Sequence, residues 1–307
     1  LIKDLERGGP PAEGFSEALL EECAEAEILM IHLCPVPRVL IEAMPKLRII
    51  ASTRGGVENV DVEAATEHGV AVISNPAHNA NAVAELTVGL MIAETRNIAR
   101  SHSALKQGTW REKYPRSGSI PELRGSTVGL IGFGSIGRLT AGKLRCFDVK
   151  MLIHDPFVNE DDIREAGGEP APMDELLSTS DIVSLHARAH PDSKPIIGRN
   201  EFSLMKKTAF FINTARANIV DMNVLREALA NGEISGAALD VFDKEPIPED
   251  DPLLLLDNVT LTNHRGSDTL NSYEDSPGMV AKEVKKFFRH KRPYLLRNPE
   301  QFPGLKA

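Results

Sequence analysis

The chain of 307 residues is long enough for about two domains, each with its own core. Hydrophobic content of 42% and charged content of 26% describe an ordinary soluble globular protein, and the net charge of −9 argues against nucleic acid or an anionic membrane as a main partner. No apolar run approaches the ~20 residues that a membrane-spanning helix needs. Three cysteines (Cys23, Cys34, Cys146) show neither metal spacing nor an even disulfide count, which predicts reduced thiols packed as small apolar side chains in a cytoplasmic protein. Leu1 is not Met, so a preceding segment, a cleaved leader included, stays open.

In chain order, residues 1–14 carry Gly8, Gly9, Pro10, Pro11 and Gly14 and read as loop. A helix follows over 16–26, then a continuous apolar strand over 28–33, of the kind buried on both faces of a parallel sheet. The cycle repeats with a helix near 36–43, a strand over 47–52, a helix over 58–68 and a strand over 70–74. Residues 79–96 form a helix so apolar (Val83, Leu86, Val88, Leu90, Met91, Ile92) that it must be buried, between domains or against another subunit. After a helix near 98–107 and a loop, six strands are predicted at 127–131, 150–154, 181–185, 209–213, 235–239 and 258–261. A final helix over 269–290 contains Pro277 and should kink or break there. Its basic tail (Lys282, Lys285, Lys286, Arg289, Lys291, Arg292) reads as a solvated face. Alternating strands and helices give an α/β class with parallel sheets.

The chain is organised around residues 126–145. The apolar run Val128, Leu130, Ile131 meets Gly132-Phe133-Gly134-Ser135-Ile136-Gly137, and a helical pattern begins at once. Gly132 allows the sharp turn, Gly134 lets the backbone approach a pyrophosphate, and Gly137 lets helix and strand pack closely. The free amides of the helix start, Ser135 and Ile136 among them, would hold phosphates. The next strand ends at Asp155, 23 positions past Gly132, where a carboxylate would bind the adenosine ribose and favour NAD over NADP.

Three later stretches each end a predicted strand: Asn213-Thr214-Ala215-Arg216, Leu239-Asp240-Val241-Phe242 with Glu245-Pro246, and Asn263-His264-Arg265-Gly266. Ligands of open parallel sheets sit beyond the carboxyl ends of the strands, so Arg216, Asp240, Glu245 and His264 can converge on one crevice.

With these stretches the sequence resembles the D-isomer-specific 2-hydroxyacid dehydrogenase family over nearly its whole length. The likeness includes Gly56-Val57-Glu58-Asn59-Val60-Asp61, Asn79-Ala80-Asn81-Ala82-Val83-Ala84-Glu85 and His186. The resemblance implies two doubly wound parallel-sheet domains, a Rossmann NAD-binding domain (99–271) inserted into a flavodoxin-like substrate domain (1–98 plus 272–307). It also implies an active site in the cleft between them and a homodimer joined through the nucleotide domains. It makes His264 the proton donor to a 2-keto acid, with Glu245 favouring its imidazolium. Arg216 would grip the substrate carboxylate with forked donors, and the amides of Gly55, Gly56 and Val57 would hold it too. Asp240 would orient the nicotinamide carboxamide. His186, Ala187, Thr214, Ala215 and Gly266 complete the expected cofactor contacts. No metal-ligand cluster is visible.

Departures from the family pattern concern the substrate. Asn263 precedes His264 where Pro is usual, and Arg265-Gly266-Ser267-Asp268 replaces Ile-Gly-Gly. Ala217 replaces Gly, Arg188 replaces Pro, Arg54 stands where a small or apolar residue is usual, and His78 lies at the same rim. Arg54, His78 and Arg265 would make the pocket polar and cationic, suited to a phosphorylated, phosphonate or sugar acid. A D-3-phosphoglycerate dehydrogenase without a regulatory domain is the alternative within the family. An NAD(H)-sensing corepressor or scaffold is the alternative outside it.

Overall fold

The computed structural model describes residues 17–188, 194–293 and 295–306, so the loop expected at 1–14 lies outside them. The chain divides into two compact units, Leu1–Asn79 with Thr269–Ala307, and Ala80–Asp268.

Unit 1 runs α1 (Glu17–Cys23), β1 (Ile28–Ile31), α2 (Arg38–Glu42), β2 (Ile49–Ser52), α3 (Val62–Glu67) and β3 (Ala71–Ile73). The strands form a parallel sheet in the order β1-β2-β3. Asp61 starts α3 by accepting the Ala64 amide, which satisfies an otherwise orphan donor. One sheet face packs Ile50 and Val72 against Leu40, Ile41, Ala64 and Ala65. The other packs Ile49, Ala51, Ala71 and Ile73 against Val280 and Val284 of the C-terminal helix (Leu270–Phe288). That helix therefore does return to the first unit, as expected.

Three expectations change here. The burial predicted for the first strand fails, because β1 is a sheet edge among the described residues and leaves Ile28 and Met30 at 40% and 44% exposure. The C-terminal helix does not break at Pro277 but continues through it. Its buried stripe Ser272, Ser276, Val280, Val284 repeats every four residues along that length, and burial of the stripe outweighs the one backbone hydrogen bond that proline forfeits. Cys34 and Cys146 are exposed free thiols and not core packing, whereas the half-buried Cys23 does pack against the unit-1 core.

Unit 2 contains α4 (Ala80–Thr95), α5 (Ile98–Lys106), β4 (Thr127–Ile131), α6 (Ser135–Leu144), β5 (Lys150–His154) and α7 (Glu160–Glu165). Then come β6 (Glu169–Pro170), α8 (Met173–Thr179), β7 (Ile182–Leu185), α9 (Arg199–Leu204), β8 (Phe210–Asn213), α10 (Met222–Ala230), β9 (Gly236–Leu239) and β10 (Val259–Leu261). Seven parallel strands lie in the order β10-β9-β8-β7-β4-β5-β6. The chain moves outward from β4 in one direction and from β7 in the other, so the topological switch point falls between them.

The apolar helix α4 is buried inside its own unit, packed on α6 and on β8, β9 and β10. Its packing partners group it with unit 2, Ala80–Asp268. A buried ion pair helps hold it: Nη2 of Arg100 donates to both Glu94 oxygens at 2.7 and 2.9 Å, and the Thr260 hydroxyl adds a third donor at 2.6 Å.

Candidate active site

At the switch point, β4 gives way to Gly132 with φ +97°, a conformation that only glycine adopts without strain. A Cβ there would lie 2.5 Å from the Ala187 amide nitrogen, at the end of β7. A Cβ on Gly137 would run into the Gly132 carbonyl, so helix and turn touch backbone to backbone. Gly134 differs: it is exposed, and a Cβ would meet nothing within 4 Å. The open space above Gly134 and the start of α6, which no side chain caps, form a cradle of free amides fit for a pyrophosphate.

Asp155 follows β5 as expected, but its carboxylate also braces the turn. Oδ2 accepts the Phe133 amide at 2.7 Å and Oδ1 the Phe157 amide at 2.9 Å, leaving further lone pairs for ribose hydroxyls. His186 is buried, with Nε2 3.1 Å from the Ser184 hydroxyl and Nδ1 without a partner among the described residues. Burial pushes its pKa down to about 4, so the ring is neutral at pH 7. An unsatisfied buried nitrogen, an open glycine and an uncapped helix start are what a dinucleotide site would leave for its ligand.

The three strand-end stretches lie side by side on β8, β9 and β10. Nδ1 of His264 lies 3.0 Å from Oε2 of Glu245, and the other Glu245 oxygen accepts the Phe242 amide at 3.1 Å. Because the carboxylate accepts, Nδ1 carries hydrogen and Nε2 is left for chemistry. The backbone of His264 is left-handed, at φ +56°. Asp240, 1% exposed, stabilises this turn: Oδ1 accepts the Thr262 hydroxyl (2.6 Å) and the Arg265 amide (2.8 Å), and Oδ2 the Gly266 amide (2.8 Å). The expected carboxamide contact must therefore share Oδ2 with Gly266. Thr262 and Phe242 are the residues that sequence reasoning missed, and only their position beside Asp240 and Glu245 could have marked them.

Arg216 is exposed in extended backbone, and its Nη1 donates to its own Ala215 carbonyl at 2.7 Å. The stretch before it is braced by Asn213, whose Oδ1 accepts the Ala215 amide and whose Nδ2 donates to the Arg216 carbonyl, both at 3.0 Å. Thr214 is buried, its hydroxyl 2.7 Å from that of Thr87. The Arg265 side chain pairs with Asp268 at 2.5 Å, so its charge is already matched. In unit 1, Arg54, Gly55, Gly56, Val57 and His78 lie on the loops after β2 and β3. Among the described residues no group of three or more His, Cys, Asp or Glu is placed to hold a metal.

Residues 88–266 match the family model described as the NAD binding domain of D-isomer specific 2-hydroxyacid dehydrogenases. A D-3-phosphoglycerate dehydrogenase of Methanocaldococcus jannaschii is 40% identical over 293 residues, covering 94% of this chain and 55% of that protein. The chain thus spans about half the length of that relative. A glyoxylate reductase of Korarchaeum cryptofilum is 34% identical, covering 95% of this chain and 87% of that protein. A solved D-isomer specific 2-hydroxyacid dehydrogenase from Lactobacillus delbrueckii ssp. bulgaricus, in its NAD complexed form, superposes with a TM-score of 0.80 at 25% identity, covering 94% of this chain and 91% of that one. The glycine turn, the strand-end carboxylates and these likenesses agree: the chain belongs to the D-isomer-specific 2-hydroxyacid dehydrogenase family, and its second unit carries the NAD-binding domain.

Proposed function

We propose that the protein interconverts a D-2-hydroxy acid and its 2-keto acid with NAD(H), acting on a phosphorylated, phosphonate or polyhydroxylated substrate. The observation that carries this reading is the His264–Glu245 pair at 3.0 Å on a dinucleotide-binding unit. A nicotinamide bound there would supply or take the hydride at C2. His264 gives a proton from Nε2 to the keto oxygen during reduction and takes it back during oxidation, while Glu245 holds the ring and stabilises its cationic form. Arg216 binds the substrate carboxylate, and its forked donors orient C2. Gly132, Gly134, Ser135, Ile136 and Gly137 would hold the pyrophosphate, and Asp155 would select the ribose hydroxyls against a 2′-phosphate. His186, Ala187, Thr214, Ala215, Asp240 and Gly266 line the cofactor. Arg54, Gly55, Gly56, Val57 and His78 bind substrate, whereas the Arg265 side chain is already paired with Asp268. Matching of the Arg265 charge by Asp268 supports dropping its side chain from the cationic group.

A homodimer in the cytoplasm completes the reading, supported by exposed Ile98, Leu105, Trp110 and Ile120 within one stretch of unit 2. The relative from M. jannaschii supports phosphoglycerate as one candidate. The test is NADH absorbance during reduction of a panel of 2-keto acids. Turnover by the wild type should fall about 10²–10⁴-fold in His264→Ala with nucleotide binding retained. Full activity in His264→Ala would remove it from the mechanism, and binding of NADH with no turnover of any acid would favour a sensor protein.

A further inference from the structure

Glu245, the carboxylate beside His264, sits on the long connection between β9 and β10. Val241, Phe242 and Leu253 anchor the two ends of that connection in the core cluster that includes Leu225 and Leu229 of α10. Between Phe242 and Asp251 no residue is buried, and Ile247 is only partly so. Apolar burial stabilises in proportion to the area removed from water, so it does little to fix the reach of Glu245. Polar contacts from α10 take over that task.

Arg226 of α10 has an acceptor for each of its five guanidinium hydrogens. Nε donates to Asp251 Oδ1 at 3.1 Å and Nη2 to Asp251 Oδ2 at 2.5 Å. A second fork meets Asp243, with Nη2 2.8 Å from Oδ1 and Nη1 3.2 Å from Oδ2, and Nη1 also reaches Asn223 at 3.4 Å. One side chain thus joins both ends of the stretch that carries Glu245, because Asp243 lies two residues before it and Asp251 six after. Two residues of chain span at most ~7 Å, so the place of Asp243 limits where the Glu245 carboxylate can go. The Arg226 and Asp251 side chains are 13% and 4% exposed, which keeps water from competing for these bonds. Hydrogen bonds from Arg226 hold both aspartates below the usual carboxylate range. The base of the clamp is firm: Asp221 caps α10 by accepting the Asn223 and Val224 amides, and Met222, Leu225 and Leu229 are buried.

We propose that Arg226 is a positioning residue of the active site, which holds Glu245 against His264 by gripping Asp243 and Asp251. This assignment rests on the oxidoreductase reading above. Reduction needs the imidazolium that Glu245 favours, so kcat/KM for the acid best turned over in the panel falls as pH rises past a midpoint. Asp240 and the Arg265–Asp268 pair, which lie on or brace the His264 turn, are unchanged in every variant. Arg226→Gln and Arg226→Lys separate position from charge. Lysine keeps the charge but cannot make two forks, so the midpoint should drop by about one pH unit in both variants, with NADH affinity unchanged. Above the wild-type midpoint that drop is about a tenfold loss of kcat/KM. Charge alone predicts a higher midpoint in Arg226→Gln, since a cation is lost, and a wild-type profile in Arg226→Lys. Either result overturns the proposal, as does an unmoved midpoint or a loss of NADH binding. Should both variants fail to fold, Asp243→Asn, at a side chain 43% exposed, replaces them in about 0.5 M salt, which screens the lost charge. An unshifted midpoint there overturns the proposal and a lower one supports it. If the wild type turns over no acid, the oxidoreductase reading fails, and the positioning is read without turnover from the NMR titration of the His264 ring, identified by its loss in His264→Ala. A lower midpoint in Arg226→Gln than in the wild type then supports the proposal, and an equal or higher one overturns it.

Discussion

Gly132 and Gly134 stand two residues apart and serve opposite ends. Gly132 is required by the chain itself, since its φ of +97° and the Ala187 nitrogen 2.5 Å from a would-be Cβ leave no room for a side chain. Gly134 has open space instead. Gly132→Ala should therefore lower stability by about 2 kcal/mol or more, through left-handed strain and overpacking. Gly134→Val should leave the melting temperature within a few degrees of wild type and weaken NADH binding at least tenfold. Thermal melts and NADH fluorescence titration check both, and tight NADH binding by Gly134→Val would remove the cradle assignment. The left-handed backbone of His264 gives a second residue-scale prediction. With φ at +56°, His264→Gly should be about 1 kcal/mol more stable than His264→Ala, because glycine accepts that conformation without strain. Urea denaturation decides it, and an alanine variant of equal stability would contradict the strain. Both variants should be equally inactive.

At the scale of elements, α4 depends on the Glu94–Arg100 pair to place a charged stretch inside the unit. Burial holds the Glu94 carboxyl above its usual pKa, opposed by Arg100 and the Thr260 hydroxyl. Replacing Glu94 with Ala removes the carboxylate that pairs with Arg100, 8% exposed, leaves that cation with the Asp257 carbonyl at its Nε, and should cost about 3–5 kcal/mol in chemical denaturation. A loss below about 1 kcal/mol would show that water reaches the pair. This pair is the part of α4's packing that the sequence did not show. Its apolar body predicted burial, but sequence offers no way to see that Glu94 finds partners at Thr260 and Arg100 within the same unit. Six of the seven strands of unit 2 were legible nearly to the residue because each is centred on an apolar run, whereas the two-residue β6 (Glu169–Pro170) offers no run to read. Helices α7 (Glu-Asp-Asp-Ile-Arg-Glu) and α9 were not, since one or two apolar positions make no period. Of the site, His264 and Glu245 were legible from their strand ends, and their hydrogen bond followed. The bracing of the His264 turn by Asp240 was hidden, because a carboxylate accepting backbone amides leaves no sequence pattern.

At the scale of the whole molecule, acid should act on the protein in two steps. Asp251, Asp243 and Asp257 have pKa values lowered chiefly by hydrogen bonds from Arg226 or Arg111, so their contribution is present above the unfolded carboxylate range and is lost below it. His186 acts earlier. Its imidazole titrates near 6.5 in the unfolded chain and at about 4 in the folded one, so between these values the unfolded state binds more protons. Unit 2 should therefore lose about 3 kcal/mol as pH falls from 7 to 4, at about 1.4 kcal/mol per pH unit in mid-range. Burial lowers the pKa of His32 and His78 as well, which pushes unit 1 the same way. Urea denaturation of wild type and His186→Gln at pH 7, 6 and 5 isolates the term. The variant starts less stable, having lost the Ser184 contact, but its stability should fall by about one proton's slope less. Parallel slopes would mean that His186 is protonated in the fold, and then its unpartnered nitrogen would have to face an acceptor rather than wait for a nucleotide.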